Sequence, residues 1–359
     1  MKKNTDFIYL LRFIAALFVV LSHYSPIRNS LINNGGEAVS FFFLLSGFIL
    51  VVAYEKQITQ NNLPVISFYV KRIARIYPLY LLALFLTLSY HFLIQNSHSH
   101  LGLKLSFELF MVQTWFYPGS INYPDWSISC ELFFYLLFPM YILKLKDLNI
   151  NYALLMASTL IIFTVLISYL LDNLSLFSLK TDLKDGYLYQ HPIFRFPVFF
   201  LGNVLGFMYL KNVEIPKKYL LVMLILGSIC IAFWTLKPVT YGLSIKQLGL
   251  LFIYISLIFS LLQNDVLANR YLTNRVFILL GEISYGIYLL QFPVFSFVFL
   301  FTPNLSPINQ FLTFLITLFC VSYITYAYLE KPLRAKIVAV YIHFSMVKSN
   351  ILMQNTEGV

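Results

Sequence analysis

The chain has 359 residues, 59% of them hydrophobic and only 11% charged, with a formal net charge of +10. A soluble domain carries about 25% charged residues, so a sizeable soluble domain is excluded and the class is a polytopic membrane protein. In that class the basic balance does not point to nucleic acid; what matters is the side of the bilayer on which the lysines and arginines fall.

A spanning helix needs about 17 to 25 mostly apolar residues. That ruler predicts ten spans, over residues 7–25, 37–54, 74–95, 126–143, 152–171, 193–210, 219–236, 245–262, 278–300 and 308–330. The fold expected is therefore all-α, a polytopic bundle of about ten transmembrane helices. The stretch 103–117 is also apolar, but it carries Lys104 and Glu108 and stops at Pro118-Gly119. It is expected to form an interfacial or re-entrant helix. The N-terminus lacks the small-residue cleavage site of a signal peptide, and further apolar segments follow it. With the N-terminus inside, 18 lysines and arginines fall on the inner side and 6 on the outer, with Arg195 within a span. The bias predicts both termini in the cytoplasm. Residues 1–336 are expected to form one integral-membrane domain, and 337–359 a cytoplasmic tail, mobile beyond Lys348. No internal repeat is visible. Cys130, Cys230 and Cys320 all sit in apolar stretches, without metal-ligand spacing, and read as packing residues. No metal site is expected.

The first span, FIYLLRFIAALFVVLSHY, holds Arg12 and His23. Ionisable side chains within a membrane helix are costly and usually face a partner or a watery cavity. Eleven residues at about 100° each bring the two to nearly one face, roughly 16 Å apart along the axis. One helix thus presents a cation near one membrane surface and an imidazole deeper in. The bland alternative is an arginine snorkelling to lipid phosphate and a histidine bonded at the interface.

Other spans carry similar exceptions. Gly47, in FFFLLSGF, permits close helix contact, and Ser46 beside it can bond across. Arg72 and Arg75 stand three apart, where the third span opens, and project together. Paired guanidiniums suit a phosphate or pyrophosphate; the plain alternative is an inner-leaflet anchor. Trp126 is placed at the outer interface, where tryptophan is ordinarily an anchor. Glu131 lies more than a turn deeper and needs a partner or a role as acid, base or histidine orienter. An ion pair with Arg195 is the structural alternative. Ser284, Tyr288 and Gln291 form a stripe that either lines a cavity or joins two helices. Glu330-Lys331-Pro332 closes the tenth span at the inner surface. His91, His98, His100 and His343 lie at ends or in loops and receive no role.

Six stretches, taken in order, resemble the integral-membrane acyltransferase-3 family: LRFIAALFVVLSHY, SFFFLLSGFIL, VKRIARIYPLY, DWSISCELFFYLLFP, GEISYGIYLLQFP and YLEKPLR. Together they run over about residues 7–334. The resemblance implies helices arranged around a central acyl-CoA passage. It also implies transfer of an acyl group from cytoplasmic acyl-CoA, most commonly acetyl-CoA, to an acceptor across the membrane such as a surface polysaccharide or lipid-linked saccharide. It assigns the coenzyme A phosphates to Arg72 and Arg75, and the chemistry to His23 with Arg12 in support. Trp126, Ser127 and Glu131 fall on a further family segment. The family often has His-x-Pro where this chain has Gln291-Phe292-Pro293, so no proton transfer is assigned there. Ala38 replaces a usual glycine, and no appended soluble hydrolase-like domain is expected.

These readings give a mechanism. His23 acts as general base on a sugar hydroxyl, with Glu131 or Arg12 orienting it or steadying developing charge. Trp126, Ser127, Tyr288 and Gln291 contact substrate. A covalent acyl-histidine ranks second. No tightly bound cofactor is expected, acetyl-CoA being a substrate, and the setting is a bacterial inner membrane. The competing classes are a transporter or flippase for an anionic lipid-linked sugar, which would use the same intramembrane charges, and a passive scaffold.

Overall fold

Within lipid, every backbone N–H and C=O must find its partner inside the segment, and a helix achieves that. This computed structural model describes residues 5–27, 29, 32, 35–94, 101–173, 181–236, 245–264, 272 and 274–356. Among them there is no strand. The main helices are α1 (Phe7–Tyr24), α2 (Ala38–Ala53), α3 (Val65–Ile94), α4 (Leu101–Leu109), α5 (Trp126–Asp147), α6 (Ile150–Asn173) and α7 (Thr181–Gln190). They continue with α8 (Pro192–Leu210), α9 (Lys217–Leu236), α10 (Ile245–Leu262), α11 (Arg275–Phe301), α12 (Pro307–Thr325) and α13 (Lys331–Thr356). Eight helical stretches among the described residues are long and apolar enough to cross a membrane: α1, α2, α3, α5, α6, α8, α11 and α12 with its continuation. The two other segments predicted to span, 219–236 and 245–262, are helical as α9 and α10. The chain is an all-α polytopic membrane protein.

Three boundaries differ from expectation, each for a physical reason. α3 begins at Val65, so Lys71, Arg72 and Arg75 lie inside the helix rather than at its mouth. Hydropathy placed the boundary at 74, after Lys71 and Arg72 and just before Arg75, but Phe68, a turn before Arg72, is wholly buried and extends the packed face. The 103–117 stretch is not one helix. α4 ends at Leu109, Met111 takes a positive φ of 55°, and a 3-10 turn follows over Gln113–Trp115. The stretch after 336, expected as a tail, is helical to Thr356. It follows α12 through a π-helical turn, Tyr326–Glu330, without a break. Of the charges used for orientation, Lys2, Lys3, Arg28, Lys180, Lys237 and Arg270 lie outside the described residues, as do His98 and His100.

α8 is the most enclosed span, with 78% of its apolar window buried, whereas α6 is at the rim with 22%. α8 packs directly on α2 because glycines remove the side chains between them. A Cβ on Gly47 would stand 2.1 Å from the Phe199 carbonyl oxygen, and one on Gly202 would stand 2.1 Å from that of Leu44. Asn203 closes the same seam by donating to the Gly47 carbonyl at 2.9 Å. Aromatic rings fill the adjoining layer: Phe134 of α5 stacks on Phe199 at 4.8 Å, and Phe138 stacks on Phe68 of α3 at 5.3 Å.

Arg195 is 1% exposed and has partners other than the one proposed from sequence. Its Nε donates to the Tyr189 carbonyl and its Nη1 to Gln247 Oε1 at 2.9 Å. Gln247 Nε2 donates to Glu37 at 2.6 Å, and Lys246 pairs with the same carboxylate at 3.1 Å. The guanidinium also lies 4.2 Å from the Tyr189 ring centre. This network ties α8 to α10 and to the turn before α2. The expected Arg195–Glu131 pair does not form, because Arg195 finds its carboxylate through Gln247.

The glycine seam makes a clear prediction. Gly47→Val or Gly202→Val should destabilise the detergent-solubilised protein by about 1–3 kcal/mol or more, through overpacking. Gly102→Ala, where an added Cβ meets nothing within 4 Å, should leave the thermal transition unmoved.

Candidate active site

Two adjoining cavities run between α1, α2, α3, α5, α11 and the α12–α13 junction. The larger holds about 740 Å³ and opens among Arg12, Lys71, Arg72, Arg75, Lys331 and Arg334. Among the described residues, only Glu282 and Glu330 oppose these six cations in its lining. The smaller, about 80 Å³, continues past Ser46 and Glu131 to Val39, Phe42, Ser127 and Tyr288. Arg12, Ile49, Arg72, Arg75 and Tyr285 line both and form the neck between them.

The three neck arginines come from two helices. Arg72 and Arg75 share one face of α3 through their spacing, and Arg12 faces them from α1. Arg72 is held loosely: its guanidinium lies 5.4 Å from the Tyr54 ring centre and 3.4 Å from that hydroxyl, while its Nε is buried without a hydrogen-bond partner. Glu131 is within electrostatic reach of Arg75, Arg12 and Arg72, and accepts from the Tyr135 hydroxyl at 3.1 Å. Glu330 sits at the wide end with Oε1 buried and unbonded. An array of this kind, rich in guanidinium and short of carboxylate, suits a ligand carrying several phosphates.

His23 stands at the other end of α1 and lines neither cavity. Its Nδ1 lies 2.9 Å from Gln291 Oε1. The Gln291 amide is oriented by its own Nε2, which donates to the Tyr288 carbonyl at 2.6 Å. With the amide nitrogen committed there, Oε1 is the atom that faces His23, and Nδ1 donates to it in this pairing. The edge of the Tyr123 ring lies against the imidazole, with centroids 4.9 Å apart. One turn back on α11, the Tyr288 hydroxyl lies 2.9 Å from Ser127 Oγ and 3.1 Å from the Pro124 carbonyl oxygen. The inner cavity therefore ends one helical turn from the residue that holds the imidazole.

The residues singled out from sequence are thus divided between two places. Arg12, Arg72, Arg75 and Glu131 meet at the neck, and Ser127 and Tyr288 line the inner cavity. His23 and Gln291 pair beyond it. Neither Glu131 nor Arg12 orients His23, as had been expected; Gln291 does, and it is wholly buried. Trp126 is not an interfacial anchor: it is 4% exposed and packs on Phe43 and Tyr189, and beside Arg195. Sequence reasoning passed over Lys331, Arg334 and Glu330 as boundary charges, although the YLEKPLR stretch contained the signal. Nothing in the sequence marked Tyr123.

The loop bearing Tyr123 is fixed by a buried carboxylate. Glu108 is 0% exposed and accepts from the Tyr80 hydroxyl at 3.0 Å, the Tyr117 hydroxyl at 3.1 Å and the Ile121 N–H at 2.7 Å. Asn122 donates to the Leu289 carbonyl at 3.0 Å, and Gln113 to that of Asp125 at 3.1 Å. Burial pushes Glu108 up to about 7, although these donors and Lys104 hold it down in part. A carboxyl whose folded value is raised favours the folded state while protonated. Stability in detergent should therefore be greatest at acid pH and fall as pH rises from the ordinary carboxylate range through about 7. Glu108→Gln should flatten that slope in thermal unfolding between pH 5 and 8.

The family model described as an acyltransferase domain, Acyl_transf_3, matches residues 5–327. Among curated proteins, acyltransferase MdmB of Streptomyces mycarofaciens is 36% identical over 114 residues, 30% of this chain and 28% of that protein. O-acetyltransferase OatA of Staphylococcus aureus is 22% identical over 366 aligned residues, 91% of this chain and 56% of that protein. The chain thus spans little more than half of OatA and under a third of MdmB. No solved structure matches it. The family match takes in α1 to α12 and with them the whole lining of the inner cavity, and stops before Glu330, Lys331 and Arg334 of the larger one; the chain belongs to the acyltransferase-3 family.

Proposed function

We propose that this acyltransferase moves an acetyl group from cytoplasmic acetyl-CoA to a hydroxyl of a surface polysaccharide or lipid-linked sugar. The observation that carries the reading is the arrangement along α1: a cation-lined chamber, an arginine neck, and a narrow passage that ends at Tyr288, one helical turn from Gln291, which pairs with the His23 imidazole. The coenzyme A phosphates would lie on Arg72, Arg75 and Arg12, with the pantetheine arm passing the neck. Eleven residues of α1 separate Arg12 from His23, roughly 16 Å, a distance suited to that extended arm. Glu131 limits the mutual repulsion of the arginines. The lysine and arginine bias supports both termini in the cytoplasm of a bacterial inner membrane.

In this mechanism His23 Nε2 removes the proton from the acceptor hydroxyl as that oxygen attacks the thioester carbonyl. The C–O bond forms, the C–S bond breaks, and the departing coenzyme A thiolate takes the proton from the imidazolium. Gln291 holds Nδ1–H throughout and so keeps Nε2 aimed at the acceptor. Ser127 and Tyr288 present hydroxyl groups near the carbonyl. Gln291 is thus a positioning residue.

Purified protein should release free coenzyme A from acetyl-CoA, and membranes should acetylate the acceptor glycan. His23→Ala should lower transfer by about 10²- to 10⁴-fold, the usual weight of a general base, with acetyl-CoA binding largely kept. Arg72→Ala/Arg75→Ala should instead weaken acetyl-CoA binding. Full transfer by both variants at normal expression would refute the assignment; a pure transporter would release no coenzyme A from the thioester. Gln291→Leu should lose about 10²-fold or more through the wrong tautomer, whereas Gln291→Glu, which still accepts from Nδ1–H, should retain most activity.

A further inference from the structure

The acyl end of the passage is closed by one large apolar side chain that the mechanism leaves without a task. The inner cavity follows α2 from Leu50, near Arg72 and Arg75, to Val39 and Phe42. From Leu50 to Val39 is eleven residues, roughly 16 Å, the same axial distance as from Arg12 to His23 on α1. Gly35, just before α2, packs against Phe18 and Ser22 of α1, where an added Cβ would stand 2.1 Å from the Phe18 carbonyl oxygen. The Val39–Phe42 end of the cavity is therefore nearer to His23 than its Leu50 end is.

At that end the lining is sharply divided. Ser127 and Tyr288 supply hydroxyls on one side, and Val39 and Phe42 supply hydrocarbon on the other. The Phe42 ring stands 5.8 Å from the Tyr288 ring, centre to centre, across the cavity. Phe43 lines the same cavity, but it is 1% exposed and packed against Phe134 at 5.2 Å, whereas Phe42 is half-buried.

We infer that Phe42 sets the length of the acyl group, admitting acetyl and rejecting longer chains. The inference rests on the acetyl-CoA reading above. With phosphates at the neck, the arm fills the passage and the thioester carbonyl arrives near Ser127 and Tyr288. The acyl carbon skeleton then points at Phe42. A two-carbon group ends short of the ring; each further methylene must displace it. Trimming the ring opens the closed end to several methylenes without touching the arginines, His23 or Gln291.

The test compares coenzyme A release from acetyl-, propionyl- and butyryl-CoA by the full chain in detergent. Wild type should favour acetyl over butyryl, and Phe42→Ala should raise the butyryl-to-acetyl ratio of kcat/KM at least about tenfold, the scale on which apolar pockets sort methylenes. Phe42→Leu should fall between them and Phe42→Trp should lower the ratio further, so the order survives even if the alanine variant fails to fold. An unchanged ratio, or no order among the variants, with acetyl-CoA still turned over, overturns the assignment of Phe42 alone. Failure of wild type to release coenzyme A from any of the three overturns the acetyl-CoA reading and this inference together.

Discussion

Arg12, Arg72 and Arg75 repel one another, and a membrane interior is a poor place to assemble three guanidiniums. The neck exists because carboxylates from three other segments approach it: Glu131 from α5 on the narrow side, and Glu282 of α11 and Glu330 of the π-helical turn on the wide side. Even so the balance stays positive, since Lys71, Lys331 and Arg334 add to the wide end. Charges of one sign lining a low-dielectric cleft raise the local concentration of an opposite ligand. Ligand binding and the electrostatic cost of the ligand-free site are thus coupled. The helices hold like charges together, a cost that a bound polyanion would relieve.

The far end of α1 is governed by a different constraint, the direction of one hydrogen bond. A histidine beside a carboxylate gains charge stabilisation when protonated; beside an amide it gains only orientation. Gln291 belongs to the second kind, and its own geometry depends on the backbone of α11 through the Tyr288 carbonyl. The imidazole is consequently held by a helix rather than by a loop, while Tyr123 reaches it from a loop held by Glu108. Rigid and looser supports meet on one ring.

Much of this was legible in the sequence. Apolar runs gave the helices, and the R-x10-H spacing gave the axis along which cation and imidazole are arranged. The Arg72–Arg75 spacing put two guanidiniums on one helix face, which left a phosphate site and an inner-leaflet anchor both open until the family resemblance was added. The misreadings share a cause. Arg195 was offered Glu131 because both were buried charges, yet Gln247, a neutral residue with no hydropathy signature, takes the position between Arg195 and Glu37. Gln291 was read as a lost histidine, when an amide serves as acceptor equally well. Trp126 was assigned to the interface by residue type, but it lies in an aromatic layer with Phe43 and Tyr189. Neutral polar partners and burial within a bundle are long-range facts, and a single sequence does not carry them.

The π-helical turn at Tyr326–Glu330 sets the phase of everything after it. Such a turn adds one residue to the coil, which swings the following helix by about 100° relative to an unbroken α-helix. Lys331 and Arg334 reach the chamber only with that offset; in a regular coil the same two side chains would be carried around to another face. The widened turn is therefore an angular spacer, and two of the six cations of the mouth take their direction from it.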